Sequence, residues 1–133
     1  MAKQRPSELE LQVLGVLWDR GPSTVRAVLE AMPDGKDRAY TTILSVMQGM
    51  ERKGLVGHTP QGQAHVYHAT ARRDQVLEPM LRELVRNAFG GSPARALQCL
   101  LGGSRVDAGE LDEIRRVIEE AGREQAEGQG RQS

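Results

Sequence analysis

Two breaks cut the first 54 residues into three stretches of helical period, and each stretch carries one apolar side that needs covering. The breaks are RGPS, where Gly21 and Pro22 stop a first helix, and PDGKD at 33–37, which stops a second. Ser7 followed by Glu10 has the spacing of a capping box and places the first helix start near Glu8. Leu9, Val13, Leu14 and Leu17 recur along that helix to about Arg20, with Trp18 at its end. Ser23 or Thr24 can cap the second helix, in which Val25, Val28, Leu29 and Met32 share a side. The third runs from about Ala39 to Lys53 and ends at Gly54, a residue suited to the left-handed position after a helix.

Two short extended runs follow, LVGHT (55–59) and AHVYHA (64–69), separated by PQGQ. A Pro and a Gly between two β-prone runs predict a hairpin. Helix, helix, helix, hairpin is the element order of a winged helix-turn-helix. Helical period then returns at Val76, Leu77, Met80, Leu81, Leu84, Val85 and Ala88, with Pro79 either kinking this helix or marking its true start. Ser92 and Pro93 cap and open a short helix to Leu101. Asp107 and Glu110 open a last helix, whose Leu111, Ile114, Ile118 and Ala121 form a narrow seam suited to a partner helix. From Gly122 the chain reads GREQAEGQGRQS, polar and Gly-rich, which predicts a disordered tail. The expected architecture is mainly α: a winged-helix domain over 1–71 with a small hairpin wing, a helical arm over 72–121, and a tail over 122–133.

Composition agrees with a helical core. One Phe, one Trp and two Tyr leave Leu, Val, Ile, Met and Ala to fill the interior. No apolar run approaches the roughly 20 residues that cross a bilayer, and the N-terminus lacks the apolar centre of a signal peptide, so a soluble, cytoplasmic protein without membrane insertion is expected. The single cysteine, Cys99, excludes an intramolecular disulfide and a cysteine zinc cage, and reads as a small apolar core residue. The formal net charge is zero, yet residues 36–73 hold six basic side chains against two acidic ones, and all three histidines. A positive centre between acidic flanks points to a local anionic partner.

The third helix has two distinct sides. At about 100° per residue, Thr41, Thr42, Ser45, Gln48, Gly49 and Arg52 fall on one side and Ile43, Leu44, Val46, Met47 and Met50 on the other. Exposed helix surface ordinarily favours Glu, Lys and Gln. Here short hydroxyls occupy the first two turns, where they can donate to phosphate, bond base edges or place a methyl against thymine. Gly49 costs about 1 kcal/mol against Ala, so its side suits close approach by a large partner. Tyr40 lies near the core side, where packing and a base contact are both open to it.

The stretches ELELQVLGVLWDRGPSTVRAVLEAM, AYTTILSVMQGMERKGLV and GQAHVYHA closely resemble the penicillinase repressor (BlaI/MecI) family, with specific motifs over residues 8 to about 70 and helical layout alone over 71–121. The resemblance implies a homodimeric winged-helix repressor whose third helix enters the major groove of a palindromic double-stranded DNA operator. Residue by residue, it places Tyr40, Thr41, Thr42, Ser45 and Gly49 on the reading surface and Arg38, Arg52 and Lys53 on phosphates, with Gln63 and His65 in the wing. The C-terminal helices of relatives interlock, which puts Leu81, Leu84, Phe89, Leu97, Leu111, Ile114 and Ile118 at a dimer contact. Relatives often carry Arg where this chain has Gly49 and where it has Gln63, and each lost cation removes about one phosphate contact from the salt dependence.

Induction in the family commonly follows cleavage of the arm after signalling by a membrane sensor protease. Some relatives are cut at an Asn-Phe bond; this chain has Asn87-Ala88-Phe89, so that point does not carry over and the inducing signal stays open. Two rival functions remain: a ligand-responsive helix-turn-helix regulator, and a winged-helix protein-interaction module. His65 and His68 are three apart on a strand and so face opposite sides, with His58 across the hairpin from one of them. Neither metal, cofactor nor catalytic function is expected, because no ligand spacing, nucleophile motif or Gly-rich phosphate loop occurs.

Overall fold

The computed structural model describes residues 5–103 and 105–132, in two compact units that divide between Leu81 and Arg82. In the first unit α1 spans Glu8–Arg20. Its capping box is complete: the Ser7 hydroxyl accepts from the Glu10 amide at 3.1 Å, and the Ser7 amide donates to Glu10 Oε1 at 2.8 Å. Gly21 ends the helix with φ +82, and its amide still reaches the Leu17 carbonyl at 2.9 Å. The two-residue strand β1 (Ser23–Thr24) leads directly into α2 (Val25–Ala31), which Thr24, rather than Ser23, caps through the Ala27 amide at 3.1 Å. A short 3₁₀ turn, Gly35–Asp37, precedes α3 (Tyr40–Arg52), and Gly54 follows it at φ +80.

The wing pairs β2 (Val56–Gln61) with β3 (Ala64–Ala69), antiparallel, in the register Val56↔Ala69, His58↔Tyr67 and Pro60↔His65. Its loop is the two residues Gly62 and Gln63, tighter than the PQGQ spacer read from the sequence. Gly62, at φ +63 in the first loop position, supplies the conformation that a type II′ turn needs there. Pro60 is therefore a strand residue, tolerated because β2 is an edge of the sheet. The sheet order is β1-β3-β2, so β3 is central and is bounded by a third strand that the sequence did not announce. Two residues of a Ser-Thr pair are too few to carry a period.

The core of this unit takes Val13, Leu14, Val16 and Leu17 from α1, Val25 and Val28 from α2, Met32, then Ile43, Met47 and Met50 from α3, Val56 from β2 and Tyr67 from β3. The stripes read from the sequence supply most of it, and Val16 and the ring of Tyr67 add to it. At the far end of α1 the Trp18 indole N–H donates to the Ala71 carbonyl at 2.9 Å. The Arg73 guanidinium covers the Trp18 ring at 5.5 Å and pairs with Asp19. These ties hold the start of the next helix on the first unit.

That helix, α4 (Arg73–Ala88), begins six residues before Pro79, which lies inside it and is not its start. Phe89, Gly90 (φ +61) and Gly91 (φ +79) end it, with the Gly91 amide returning to the Val85 carbonyl at 3.0 Å. In the second unit α5 spans Pro93–Gly103, and the Ser92 hydroxyl accepts from the Arg95 amide at 3.2 Å. The last helix, α6, spans Ala108–Gln132, capped by Asp107 through the Glu110 amide at 2.8 Å. It continues as helix across residues 122–132, where composition points to a disordered tail. Gln, Glu, Arg and Ala are adequate helix formers, and local propensity carries the ladder past Gly122, Gly128 and Gly130.

No described residue of α4, α5 or α6 is buried. Cys99 is exposed on α5, so it is not the core residue its size implied; these helices have no core of their own in which to place it. Leu81 and Leu84 on α4, Leu100 on α5, and Val117 and Ile118 on α6 are each more than half exposed.

One glycine of the first unit is required by space. A Cβ at Gly35 would lie 1.9 Å from the Leu29 carbonyl oxygen, which belongs to the backbone and cannot swing aside. Gly35→Ala is expected to destabilise the unit by about 1–3 kcal/mol, seen as a fall in melting temperature; an unchanged melt would show that the turn before α3 shifts freely.

Candidate nucleic-acid interface

α3 places its two sides as the wheel predicts. Ile43, Met47 and Met50 have zero exposure, whereas Thr41, Thr42, Ser45, Gln48 and Arg52 are exposed. Its N-cap, Ala39, offers no side-chain bond to the first amides of α3, and among them the Thr42 amide turns back to the Ala39 carbonyl at 3.1 Å. An outer surface of short donors suits an anionic, closely approaching partner. Tyr40, at the first turn, is 38% exposed and carries the Arg26 guanidinium over its ring, 5.1 Å from the centroid.

The cations divide into engaged and free. Lys53 donates from Nζ to Glu10 Oε2 at 2.9 Å, and Glu10 is the buried charged residue of the core. Lys53 therefore joins the end of α3 to the start of α1, which limits its reach to a partner. Arg38 lies 3.9 Å from Asp34 with both side chains well exposed, a weak pair that a stronger anion can displace. Arg52 is exposed and leans along its own helix: a Cβ built at Gly49 would sit 3.6 Å from Arg52 Nη2. The Arg52 head group thus lies beside Gly49, in ordinary contact with the place a Cβ would take.

The wing contributes aromatic and imidazole groups. His58 and His65 stack with centroids 4.4 Å apart and planes 17° apart, and His58 Nδ1 meets Glu51 Oε1 at 2.6 Å. His68 lies on the other side of the strand against Gly57, as strand alternation requires. Tyr67 is buried beneath His58, and burial together with the nearby Glu51 carboxylate raises its hydroxyl above the ordinary tyrosine value, keeping it neutral. Gln63 and His65 are exposed at and beside the turn. A groove of about 320 Å³ lies between α2, the first turn of α3 and the wing, walled by Thr24, Arg26, Tyr40, Leu44, Gln63 and His65 among others.

The structure thus brings Tyr40, Thr41, Thr42, Ser45, Gly49 and Arg52 onto one helix, with Gln63 and His65 across the groove from Tyr40. It also supplies Arg26, which sequence reasoning passed over. Its signal was modest: Val25, Val28 and Leu29 form the apolar side of α2 and leave Arg26 facing out.

Comparison with known proteins identifies relatives of this chain. The profile of the penicillinase repressor family matches residues 6–120. The chain is similar to the transcriptional regulator BlaI of Mycobacterium tuberculosis, strains CDC 1551 and H37Rv, with 37% identity over 123 residues covering 90% of this chain and 88% of that protein. It is also similar to the penicillinase repressor of Bacillus licheniformis, with 19% identity over 114 residues covering 86% of this chain and 89% of that one.

Glu10 gives the interface a pH limit. Burial pushes its carboxyl up, but the hydrogen bonds from the Ser7 amide, Lys53 and the Ser7 hydroxyl, with the Lys53 charge, outweigh burial and leave it below the usual glutamate value. A carboxyl depressed in the folded state adds stability above its unfolded value, and that contribution is lost as pH falls through the folded one. Glu10→Gln is therefore expected to cost about 1 kcal/mol near neutral pH, where Lys53 remains partly solvated, and nothing once the wild-type carboxyl is protonated. Melting curves of both proteins taken downward from pH 7 should converge as the pH passes below the lowered value of that carboxyl; a constant gap would remove Glu10 ionisation from the account.

Proposed function

The chain belongs to the penicillinase repressor family of transcriptional regulators, and from that membership we propose that it acts as a homodimeric DNA-binding repressor whose α3 lies in the major groove of a palindromic operator. The observation that carries this reading is the outer side of α3: Thr41, Thr42 and Ser45 exposed together, backed by the fully buried Ile43, Met47 and Met50. A helix pinned on its apolar side presents the opposite side at a fixed angle, as base reading requires. Thr41 and Thr42 reach base edges, and Arg52 takes a phosphate beside them. Gly49 keeps the helix thin where the groove wall comes near. Gln63 and His65 lie on the wing flanking the same groove, where an amide and an imidazole can donate to backbone phosphate.

The arm supplies the second subunit's contact. Three amphipathic helices without a buried residue expose Leu81, Leu84, Leu100, Val117 and Ile118, and the seam of Leu111, Ile114 and Ile118 runs along α6. A second copy of the arm buries those side chains, at about 25 cal/mol per Å² of apolar surface, and relates two winged helices by the symmetry of a palindrome. Relief of repression acts through the same arm: cutting it, by a membrane sensor protease or another agent, removes the dimer contact and lowers operator affinity. The repressor works in the cytoplasm, and among the described residues no helix is long and apolar enough to cross a membrane.

Gel shifts against genomic fragments at several salt concentrations test the whole reading, and absence of any shift at low salt would overturn it. Thr41→Ala and Thr42→Ala should each lose about 1–3 kcal/mol of discrimination between operator and random duplex, whereas equal losses on both would rule out a base contact. Ile114→Asp should place an unpaired charge in the seam and sediment as a monomer; a stable dimer would remove that seam from the assembly.

A further inference from the structure

The groove between α2, the first turn of α3 and the wing holds a cation that the operator reading leaves unused. Lys53 is bound to Glu10 and Arg38 faces Asp34, whereas no carboxylate among the described residues is bonded to Arg26. Its guanidinium lies instead over the Tyr40 ring at 5.1 Å, an arrangement that orients the planar head without neutralising its charge. Gln63 and His65 line the opposite wall and carry side-chain hydrogen-bond donors. A groove of about 320 Å³ with a free guanidinium on one wall and neutral donors on the other has room for a backbone phosphodiester and the polarity to hold one.

We propose that Arg26 is a phosphate clamp for the DNA backbone in this groove, and that Tyr40 is a positioning residue that holds Arg26 by its ring rather than a reader of bases. The clamp rests on the operator-binding reading and adds a contact that the resemblance of α3 and the wing does not supply. It brackets the hydroxyl surface of α3, with Arg26 at the first turn and Arg52 at the last. It also restores a cation beside a wing whose turn carries Gln63.

Full-length protein titrated against operator and random duplexes between about 50 and 200 mM salt tests it. Arg26→Ala should weaken both duplexes alike and flatten the slope of log affinity against log salt by about 0.9 per subunit, whereas Arg26→Lys should keep the wild-type slope. Tyr40→Leu should keep the slope, since no charge is lost, and raise Kd on both duplexes about two- to five-fold per subunit; Tyr40→Phe should restore wild-type binding because the ring is retained. Arg26 and Tyr40 are both exposed, and matched melting temperatures separate these effects from unfolding. Wild-type binding with an unchanged slope in Arg26→Ala overturns the clamp while the repressor reading stands. Loss of operator discrimination in Tyr40→Phe assigns the tyrosine hydroxyl to a base and overturns its positioning role. Wild-type protein that binds neither duplex overturns the repressor reading and the clamp with it.

Discussion

Ile43, Met47 and Met50 are completely buried in one cluster with Val13, Leu14 and Val28, and this contact fixes the rotation of α3 about its own axis. Each side chain contributes about 1.5–3 kcal/mol by leaving water. A slip of one residue would turn the helix by about 100° and carry Leu44, Gln48 and Glu51, or in the other direction Thr42, Val46 and Gly49, toward the core in their place. The cost of that slip is comparable with the stability of a small domain. The direction in which Thr41, Thr42 and Ser45 point is therefore a property of the core, set before any partner arrives.

Charge is arranged around that helix with the same economy. A buried carboxylate needs several partners to remain ionised, and Glu10 finds them in the Ser7 amide and hydroxyl and in Lys53. The capping box of α1 is thus also the anchor of the last residue of the α3 segment, 43 residues along the chain. Lys53 spends its position on architecture. Arg26 and Arg52, with no such partner among the described residues, keep their charge available for an anion.

What could be read in advance follows from the range of the interactions. The capping box, the stripe of α1, the two sides of α3 and the hairpin depend on residues a few positions apart, and the chain displays them openly. The strand β1 depends on pairing Ser23 with Tyr67, the Lys53 bond on Glu10, and the Arg26 stack on Tyr40. Those pairings are set by tertiary packing and leave no period to detect. The resemblance places Lys53 on phosphate, and nothing local in the chain shows that its neighbour in space is the Glu10 carboxylate. Cys99 looked like core for a related reason, since residue type was read without knowing that α5 has no interior to join. The roles of Thr41, Thr42, Gln63 and His65 toward DNA rest on chemistry and position, and the structure adds their exposure.

Gly49 carries a lesson about comparing relatives. Family resemblance leads one to look for Arg at this place, and by that measure the chain has dropped a positive group. Yet the space above Gly49 adjoins the Arg52 head group, three residues farther along the same helix. Alignment columns count residues by address along a chain, while a phosphate senses only where a charge is. Two repressors can differ at the column and agree in the field they present, so the gain and loss of cations in such a family is properly tallied on the surface of the helix.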